Sequence, residues 1–474
     1  MEKSLREPID AQWLASRVES PRTDGIVASL SQLIASGNLV PGAQLPTVRD
    51  LARKMQISPS TVMNAWQKLR AHGLIETHRR GGTVVRHGKA AGHARSGEEQ
   101  AGARAYPGAD AVRDASSAIS WSTTDFSRAT ADPALQPDLG RALAAGLHVS
   151  NLHATERESM IHALVNAVAP TWPATPQAWT TAGGGTEGML AALQAATAPG
   201  DKVAIENPTS PRLLSVLATL DLVPVPVTCD GEGPLPGALE EALRQGSTAF
   251  VYQVRAHMPV GHALSVRRRD EIAEVLECHP NINVLEDDHL GSVTNTPTHS
   301  LTTRLPERCL LVRAYCRAFG VDLRISVIGG SQRLIERIDE YRSNRVAMTS
   351  RILQGALAFL LTDASAVATL DHARQRYANR RDLLVTSLRA LGSEVHDGSG
   401  LIVWIRVPNE NRAIINLATH GVMVAPGTPC FVGRCTDPHI RISISRLPDD
   451  PLRISRLAQT IATAIDGPAR EEFD

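Results

Sequence analysis

The stretch that decides the fold of the N-terminal region is LPTVRDLARKMQISPSTVMNAWQKLRAHGLIETHRRGGTVV, residues 45–85. A short helical pattern over 47–55 leads to Ser58 and Pro59, an N-cap serine followed by proline at the first helical position. The next apolar residues again follow helical spacing, and residues 76–85 then indicate two short strands around a Gly-Gly turn. This order predicts a helix, a turn, a second helix and a β-wing.

A further helix is predicted over residues 24–36, so that three helices and a wing form a winged helix-turn-helix. The second helix of such a motif lies in the major groove of DNA. Hydroxyl and amide side chains near its start can reach base edges, and flanking arginines can contact phosphates. The candidate DNA-binding residues are Arg49, Arg53, Ser58, Ser60, Thr61, Asn64, Gln67, Lys68, Arg79, Arg80 and Gly82.

The charge distribution favours a DNA partner over the alternative, which is a solvated polar helix face. The chain has 49 Lys+Arg and 49 Asp+Glu, for a net charge of zero. Residues 1–90 hold 13 of the basic and 7 of the acidic residues, which leaves 36 and 42 for the remainder. A balance of +6 in this N-terminal region and −6 elsewhere indicates a polyanion partner for the N-terminal region alone.

Length and composition exclude several classes of protein. A chain of 474 residues predicts about two to four domains. No run of about 18 uncharged apolar residues occurs, which argues against a transmembrane helix, and no apolar core of a secretory signal is present near residue 1. The six cysteines include no C-x-x-C pair, which favours reduced thiols. We therefore expect a cytoplasmic protein without a membrane partner.

The remaining sequence indicates an α/β domain with two lobes. Helical patterns alternate with the β-rich runs KVAIE, TAFVYQV, INVLEDD and CLLVRAY, which is typical of a parallel α/β sheet. A later helix and the strands GLIVWIRV and HIRISIS indicate a smaller α+β lobe. The predicted divisions are an N-terminal arm (1–22), the winged helix (23–86), an Ala/Gly-rich charged linker (87–118), a large lobe (119–365) and a small lobe (366–474).

Residues 45–85 resemble the GntR-type winged helix of bacterial regulators, without a gap. Many members of that family carry arginine after the cap serine, where this chain has Pro59, so that contact of the family is not expected here. The combination of this domain, a linker and the region 119–474 resembles the MocR subfamily. That resemblance implies a multi-domain protein with a fold-type I aminotransferase-like domain, which has a large mixed-sheet lobe and a small α+β lobe.

Three motifs carry much of the aminotransferase resemblance. TTAGGGTEGMLAAL (180–193) resembles the turn that holds the phosphate of pyridoxal phosphate, and VLEDDHLGSV (284–293) resembles the strand end with the pyridinium aspartate. CRAFGVDLRISVIGG (316–330) resembles the segment with the Schiff-base lysine. Residue by residue, the resemblance places Asp287 at the aspartate and Arg317 at the lysine.

Other positions of the cofactor site are partly kept and partly changed. The resemblance implies a phosphate contact for Arg324 and a substrate carboxylate contact for Arg441. Ser210 stands where relatives carry an aromatic residue, Met258 where they carry asparagine, and His289 where they carry tyrosine. The residues at cofactor-site positions are Gly183, Gly184, Gly185, Ser210, Met258, Asp287, His289, Arg317, Arg324 and Arg441.

The lysine composition bears directly on catalysis. Pyridoxal phosphate enzymes need a lysine amine for the Schiff base, whereas a guanidinium stays protonated and is not a nucleophile. The chain has five lysines, and Lys202 is the last of them. We therefore expect no catalytic residue, no covalent cofactor and no enzyme activity, and we predict a transcriptional regulator of the MocR/GntR type. The alternative is a pyridoxal phosphate-dependent aminotransferase-like enzyme or a regulator that responds to pyridoxal phosphate.

Two interpretations of the remaining pocket stay open. In the first, Arg317 pairs with Asp287, and the domain is a dimerisation scaffold without a ligand. In the second, Arg317, Arg324 and Arg441 bind an anionic effector, either pyridoxal phosphate held non-covalently or another phosphorylated or carboxylated metabolite. The resemblance also implies a homodimer, with domain swapping as one arrangement, bound to double-stranded DNA.

The run Glu286-Asp287-Asp288-His289 is the one place that suggests a metal site. Consecutive residues at the end of a strand point alternately to opposite faces, so these four side chains are not expected to converge on one ion. No metal site is predicted from the sequence.

Overall fold

The computed structural model of this chain divides into two compact units, Met1–Ser120 and Trp121–Asp474, which we name the head and the body. The described residues are 9–18, 23–35, 39, 43–55, 57–71, 74–78, 82–85, 124–150, 152–156, 158–345, 348–435 and 437–466. Outside the described part lie the linker predicted over 87–118, the candidate DNA-binding residues Arg79 and Arg80, and the side chains of Ser60, Gln67 and Lys68.

The head is a winged helix-turn-helix, which confirms the prediction. Its elements are α1 (Ala11–Ala15), α2 (Thr23–Ala35), β1 (Gln44–Leu45), α3 (Val48–Met55), α4 (Pro59–Ala71), β2 (Ile75–His78) and β3 (Gly82–Val85). Strand β3 pairs antiparallel with both β1 and β2. Val62, Ala65, Trp66 and Leu69 of α4 are buried in the core of the head. This core holds one face of α4 and leaves other positions of the helix exposed.

Helix α1 is a difference from the predicted N-terminal arm of residues 1–22. The side chain of Asp10 caps it by accepting a 2.6 Å hydrogen bond from the backbone N–H of Gln12. Leu14 is fully buried in the same core as Leu30 and Leu51. A five-residue helix shows too little periodicity to be recognised in a sequence, and it forms because tertiary burial of Leu14 stabilises it.

A mixed sheet of eight strands forms the centre of the body. Its strands are β5 (Ala178–Ala182), β6 (Lys202–Asn207), β7 (Val223–Asp230), β8 (Gly233–Pro234), β9 (Ser247–Gln253), β10 (Asn283–Asp288), β11 (Cys309–Ala314) and β12 (Ser326–Gly330). The order is β5-β12-β11-β10-β9-β6-β7-β8. Strands β11, β10, β9, β6 and β7 are parallel, whereas β12 runs antiparallel to both of its neighbours. The fold therefore has the predicted mixed sheet.

Both faces of this sheet are covered, which explains why its strands read as continuous apolar runs. Along β11, Cys309 and Leu311 belong to one hydrophobic cluster, and the alternate residues Leu310 and Val312 belong to another. The helices of the body are α5 (Leu139–Gly146), α6 (His162–Val168), α7 (Gly185–Ala196), α8 (Pro211–Thr219), α9 (Pro236–Arg244), α10 (Val266–Glu277), α11 (Cys316–Phe319), α12 (Gln332–Arg345), α13 (Arg351–Thr362), α14 (Ala364–Ala390), α15 (Glu410–Thr419) and α16 (Pro451–Asp466).

The small lobe contains a second, three-stranded sheet. Its strands are β13 (Ile402–Arg406), β15 (Ala425–Pro426) and β16 (His439–Ser443), in the order β13-β16-β15. Helix α14 begins the lobe within two residues of the predicted boundary at 366. Within the described residues, no single helix is long and apolar enough to cross a membrane, and only α13 and α14 together, bent by 72°, meet that test by length and composition.

Residues 124–126 lie against the small lobe, although the sequence analysis included them in the large lobe over 119–365. Strand β4 (Thr124–Asp125) pairs in parallel with β14 (Val422–Met423). The backbone N–H of Ser443 donates a 2.8 Å hydrogen bond to the carbonyl of Phe126. A two-residue strand has no detectable alternation of apolar and polar residues, so only the tertiary structure reveals this pairing.

Candidate DNA interface and candidate ligand pocket

Helix α3 carries two of the predicted phosphate contacts, Arg49 in its first turn and Arg53 in its last. Arg49 and Arg53 are both exposed. Arg53 forms an ion pair with Asp50 on the same helix, and Thr47 donates a 2.6 Å hydrogen bond to Asp50. The hydrogen bond from Thr47 and the charge of Arg53 lower the pKa of Asp50. Arg53 must leave this carboxylate to bind a phosphate, whereas Arg49 forms no part of the Asp50 pair.

Helix α4 and its cap carry the predicted base-reading residues, of which the structure describes the side chains of Ser58, Thr61 and Asn64. Its first turn is closed by a 3.0 Å hydrogen bond from the backbone N–H of Thr61 to the carbonyl of Ser58, in agreement with the predicted cap. Asn64 is exposed beside the buried Ala65. Met63, which the sequence analysis did not select, is 54% exposed and offers an apolar group suited to the methyl group of thymine.

The second candidate site lies at the carboxyl ends of β6, β9 and β10, and its central residue is Asp287. All six residues of β10 are buried. Arg212, near the start of α8, forms an ion pair with Asp287 and donates a 3.2 Å hydrogen bond to the carbonyl of Gly185. The first interpretation of the pocket was therefore wrong about the partner: the ion-pair partner of Asp287 is Arg212, not Arg317.

Arg317 has a different contact. Its guanidinium donates a hydrogen bond to the carbonyl of Ala129. It also lines a small cavity with His257, Met258 and His289, which we name the Arg317 cavity. The volume of the cavity is about 10 Å³, which is room for a single water molecule. As the side chains stand, the cavity does not admit an aromatic ring.

Two buried groups at the Arg317 cavity, Asp287 and His289, have perturbed pKa values. Burial raises the pKa of Asp287, against the opposing charges of Arg212 and Arg317. Burial, together with these two arginines, holds the pKa of His289 well below its usual range. Among the described residues, Asp287 Oδ1 and His289 Nδ1 have no hydrogen-bond partner. The site therefore combines fixed positive charge with polar atoms that could accept or donate a hydrogen bond to a ligand.

The glycine turn forms the start of α7, as the motif predicts. Gly184 adopts a positive φ of 95° at the N-cap, where a side chain would be strained. A Cβ atom at Gly183 would collide with the carboxylate of Glu187, so that carboxylate lies over the first turn of the helix. The exposed Arg324 approaches the same turn. Glu187 therefore competes with an external anion for the positive end of the helix.

The remaining predicted pocket residues are partly brought together. Ser210 donates a 3.7 Å hydrogen bond to the sulfur of Met258, which joins these two positions. Arg441, on β16, donates a 2.9 Å hydrogen bond to the carbonyl of Pro426 in the small lobe. Ser399 of the small lobe lines the Arg317 cavity, although no sequence motif pointed to it.

A buried ion triad lies next to the pocket, and the sequence analysis did not identify it. Arg255 contacts both oxygens of Asp288, at 2.9 and 2.8 Å, and Arg313 donates a 2.6 Å hydrogen bond to the same carboxylate. Burial alone would raise the pKa of Asp288, but the charges of Arg255 and Arg313 outweigh it and hold that pKa well below its usual value. The triad links the ends of β10 and β11 to the loop after β9.

Lys202, the last lysine of the chain, lies far from Asp287. It is the first residue of β6 and donates a 2.9 Å hydrogen bond to the carbonyl of Gln245. In the register of the sheet, Lys202 pairs with Ser247 of β9, and Asp287 pairs with Gln253 of β9. Six residues along a strand correspond to about 20 Å, so the amine of Lys202 is at the opposite end of the sheet.

The winged helix of the head and the mixed sheet of the body define a class of protein, the helix-turn-helix regulators that carry an aminotransferase-like domain. The chain belongs to the aminotransferase class I and II family, whose model matches residues 144–456. The model for bacterial regulatory proteins of the gntR family matches residues 22–85. This pair of domains is consistent with the MocR subfamily.

Two named regulators match over most of this chain, and a solved aminotransferase matches its fold over a smaller part. The chain is 26% identical over 454 residues to the vitamin B6 salvage pathway transcriptional repressor PtsJ of Salmonella typhimurium. The match covers 95% of this chain and 100% of that protein. It is 22% identical to the HTH-type transcriptional regulator TauR of Rhodobacter capsulatus, over 90% of this chain and 92% of that protein. A mutant of Thermus thermophilus aspartate aminotransferase matches the fold with a TM-score of 0.63 and 22% identity, over 72% of this chain and 96% of that chain.

Proposed function

We propose that this chain is a DNA-binding transcriptional regulator of the MocR/GntR type whose body has no transaminase activity. The observation that carries the proposal is the absence of a usable lysine. Arg317 occupies the position where the resemblance expects the Schiff-base lysine, and Lys202 is the only lysine of the body. The head binds DNA, and the body associates as a homodimer in the cytoplasm, with domain swapping as one arrangement. An effector that binds more tightly to one of two arrangements of the heads shifts the dimer towards that arrangement.

The residues of the pocket do not fit a covalently attached pyridoxal phosphate. A guanidinium keeps its proton and cannot form a Schiff base. The amine of Lys202 lies about 20 Å along the sheet from Asp287, which is farther than a lysine side chain reaches. The regulator without covalent chemistry is the function that this geometry supports best.

The first prediction concerns covalent attachment. We expect no pyridoxyl adduct on the body when the purified chain is incubated with pyridoxal phosphate and reduced with borohydride. The measurement is intact mass followed by peptide mapping of residues 121–474. Lys202→Arg is the matched control, because it removes the one lysine of the body and therefore reveals any non-specific labelling at that exposed amine. A stoichiometric adduct on Lys202 of the natural chain, lost in Lys202→Arg, would contradict the proposal, and so would steady transaminase turnover.

A second candidate function, sensing of an anionic metabolite, is favoured by the unsatisfied buried atoms of the pocket. Asp287 Oδ1 and His289 Nδ1 have no protein partner among the described residues, and leaving such groups unpaired costs about 1–3 kcal/mol each. Arg212 is 25% exposed and could leave the ion pair to open the site. The name of PtsJ concerns vitamin B6, so pyridoxal phosphate held without a covalent bond is the natural first ligand to test. Arg324 and the glycine turn would hold its phosphate.

The second prediction concerns this ligand. Pyridoxal phosphate, or another phosphorylated or carboxylated metabolite, is expected to stabilise the body by about 2.7 kcal/mol at a hundred times its Kd. A thermal-shift series with pyridoxal phosphate, inorganic phosphate and amino acids measures this. Arg324→Ala should abolish the shift, whereas Arg244→Ala, an exposed arginine of α9, should keep it. If none of these compounds raises the Tm, the body is an inert dimerisation scaffold and the sensing function is wrong.

A further inference from the structure

Four side chains from three parts of the body meet in the interior at the end of β6. Glu206 is fully buried near the end of that strand, Cys229 is on β7, and His262 is on the loop after β9. One ligand atom from each of Glu206, Cys229 and His262 lies within 4.8 Å of the other two. His257 is buried beside them, with its Nε2 3.4 Å from Glu206 Oε2. We name these four residues the Glu206 cluster.

The backbone holds the two histidines side by side. The N–H of His257 donates a 2.9 Å hydrogen bond to the carbonyl of His262, which closes the turn between them. Their rings stack with centroids 4.0 Å apart. His262 Nε2 lies 3.0 Å from Glu206 Oε1, so the Nε2 atoms of both rings face the same carboxylate.

Hydrogen bonding within the described residues does not account for the whole cluster. One hydrogen bond joins His262 to Glu206, and the backbone N–H of Gln253 donates to the other carboxylate oxygen at 2.7 Å. His257 is only 1% exposed, yet neither of its ring nitrogens makes a hydrogen bond within the ranges that the structure describes, although Nε2 lies 3.4 Å from Glu206 Oε2. A buried imidazole without a partner is costly, so the cluster calls for a further ligand between these atoms.

The donor types and spacings match those of a zinc site. Thiolate, imidazole and carboxylate are the side-chain groups that bind Zn²⁺ in proteins, in a tetrahedral arrangement of four. Bonds of about 2.0–2.1 Å to nitrogen and oxygen place neighbouring ligand atoms about 3.3 Å apart in a tetrahedron. His262 Nε2 lies 3.0 Å from Glu206 Oε1, near that value, and a ligand atom of Cys229 lies within 4.8 Å of those of both residues. His257 Nε2 faces the other carboxylate oxygen at 3.4 Å, so its ring becomes the fourth ligand by shifting towards the ion. Two anionic ligands would also balance the charge of a divalent ion in the interior.

We propose that Glu206, Cys229, His257 and His262 bind one Zn²⁺ ion. The ion would tie β6 and β7 to the turn that carries both histidines. His257 also lines the Arg317 cavity, so the metal would hold one wall of that cavity in place. All four positions are filled by protein, which is typical of a structural zinc site and leaves no open position for a substrate. The site does not depend on the proposed regulatory function.

The test is a metal titration of the full-length, untagged chain. The chain is stripped with a chelator and then titrated with Zn²⁺ against a chromophoric competitor, and one equivalent is expected to bind. Loading with Co²⁺ adds a spectroscopic measurement, because a cysteine ligand produces a thiolate-to-metal charge-transfer band. Cys229→Ala should lose that band and weaken Zn²⁺ binding by more than about 100-fold, since even residues that only orient ligands contribute 10–100-fold.

Cys278→Ala is the matched control, because Cys278 is an exposed free cysteine outside the cluster. It should keep the stoichiometry, the affinity and the Co²⁺ band. Cys229→Ser keeps the size of the side chain and repeats the test if Cys229→Ala does not fold. The proposal is overturned if the stripped natural chain binds no Zn²⁺, or if the band and the affinity survive in both Cys229 variants.

Discussion

Replacing Asp288 by alanine is expected to lower the free energy of unfolding of the body by about 3–5 kcal/mol. The substitution removes the only carboxylate of the buried ion triad and leaves the guanidinium groups of Arg255 and Arg313 without their counter-ion. Both arginines would remain buried, because each also donates to backbone carbonyls that hold it in place. Urea unfolding followed by far-ultraviolet circular dichroism measures the loss.

The matched control for Asp288 is Asp371→Ala. Asp371 forms an ion pair with Arg374, but its side chain is 59% exposed, so water replaces the lost interaction. We expect this change to cost less than about 1 kcal/mol. Similar losses in the two variants would show that the triad contributes no more than a surface pair.

The same triad predicts a dependence of stability on pH. The pKa of Asp288 is lowered in the folded body relative to about 3.9 in the unfolded chain. Stability from this group is therefore fully present above about pH 4 and is lost as the pH falls through the lowered folded pKa. Asp288→Ala should remove that part of the acid dependence.

DNA binding is expected to weaken by about 10³–10⁵-fold when the salt concentration rises from 50 to 200 mM. The arginines predicted to lie at the phosphates (Arg49 and Arg53) or along the minor groove (Arg79 and Arg80) number four in a head and about eight in the proposed dimer. Each neutralised phosphate contributes about −0.9 to the slope of log K against log salt, which gives a slope of about −7. Fluorescence anisotropy with a labelled operator duplex, over a salt series, measures this slope.

Two variants separate phosphate contacts from base contacts. Arg49→Ala should reduce the magnitude of the slope by about 2 for a dimer and weaken binding to every sequence alike. Asn64→Ala should leave the slope unchanged and relax the preference at particular bases by about 1–3 kcal/mol. Arg244→Ala, in the body, should change neither quantity. A uniform loss across all sequences in both head variants would contradict the assignment of Asn64 to base reading.

The elements that were predicted correctly are those with a strong local signal. Helix α4 begins at Pro59, as the Ser58-Pro59 cap indicates, and its buried residues follow the helical spacing of the sequence. The central strands were identified because burial on both faces makes them continuously apolar. By contrast, α1 and β4 are five and two residues long, and their formation depends on burial and pairing with distant residues.

The candidate ligand site was predicted in part for a similar reason. Motifs placed Asp287, His289, Met258 and Arg317 close together, and all except Asp287 line the same cavity. One of the two open interpretations paired Asp287 with Arg317, whereas the structure pairs it with Arg212, which is 75 residues away and lies in none of the three quoted motifs. The identity of an ion-pair partner depends on which helix start faces which strand end, and that is a property of the assembled sheet.

By itself, the sequence determined the two domains of this protein, the cap and core of the DNA-binding helix, and a lysine composition that leaves one amine in the body. Only the tertiary structure decided that Arg212 pairs with Asp287, that Asp288 joins two arginines, and that the Glu206 cluster exists. The physical reason is range: caps and periodicity act over a few residues, whereas these contacts, apart from the one between His257 and His262, join residues 23 to 75 positions apart through the register of the sheet.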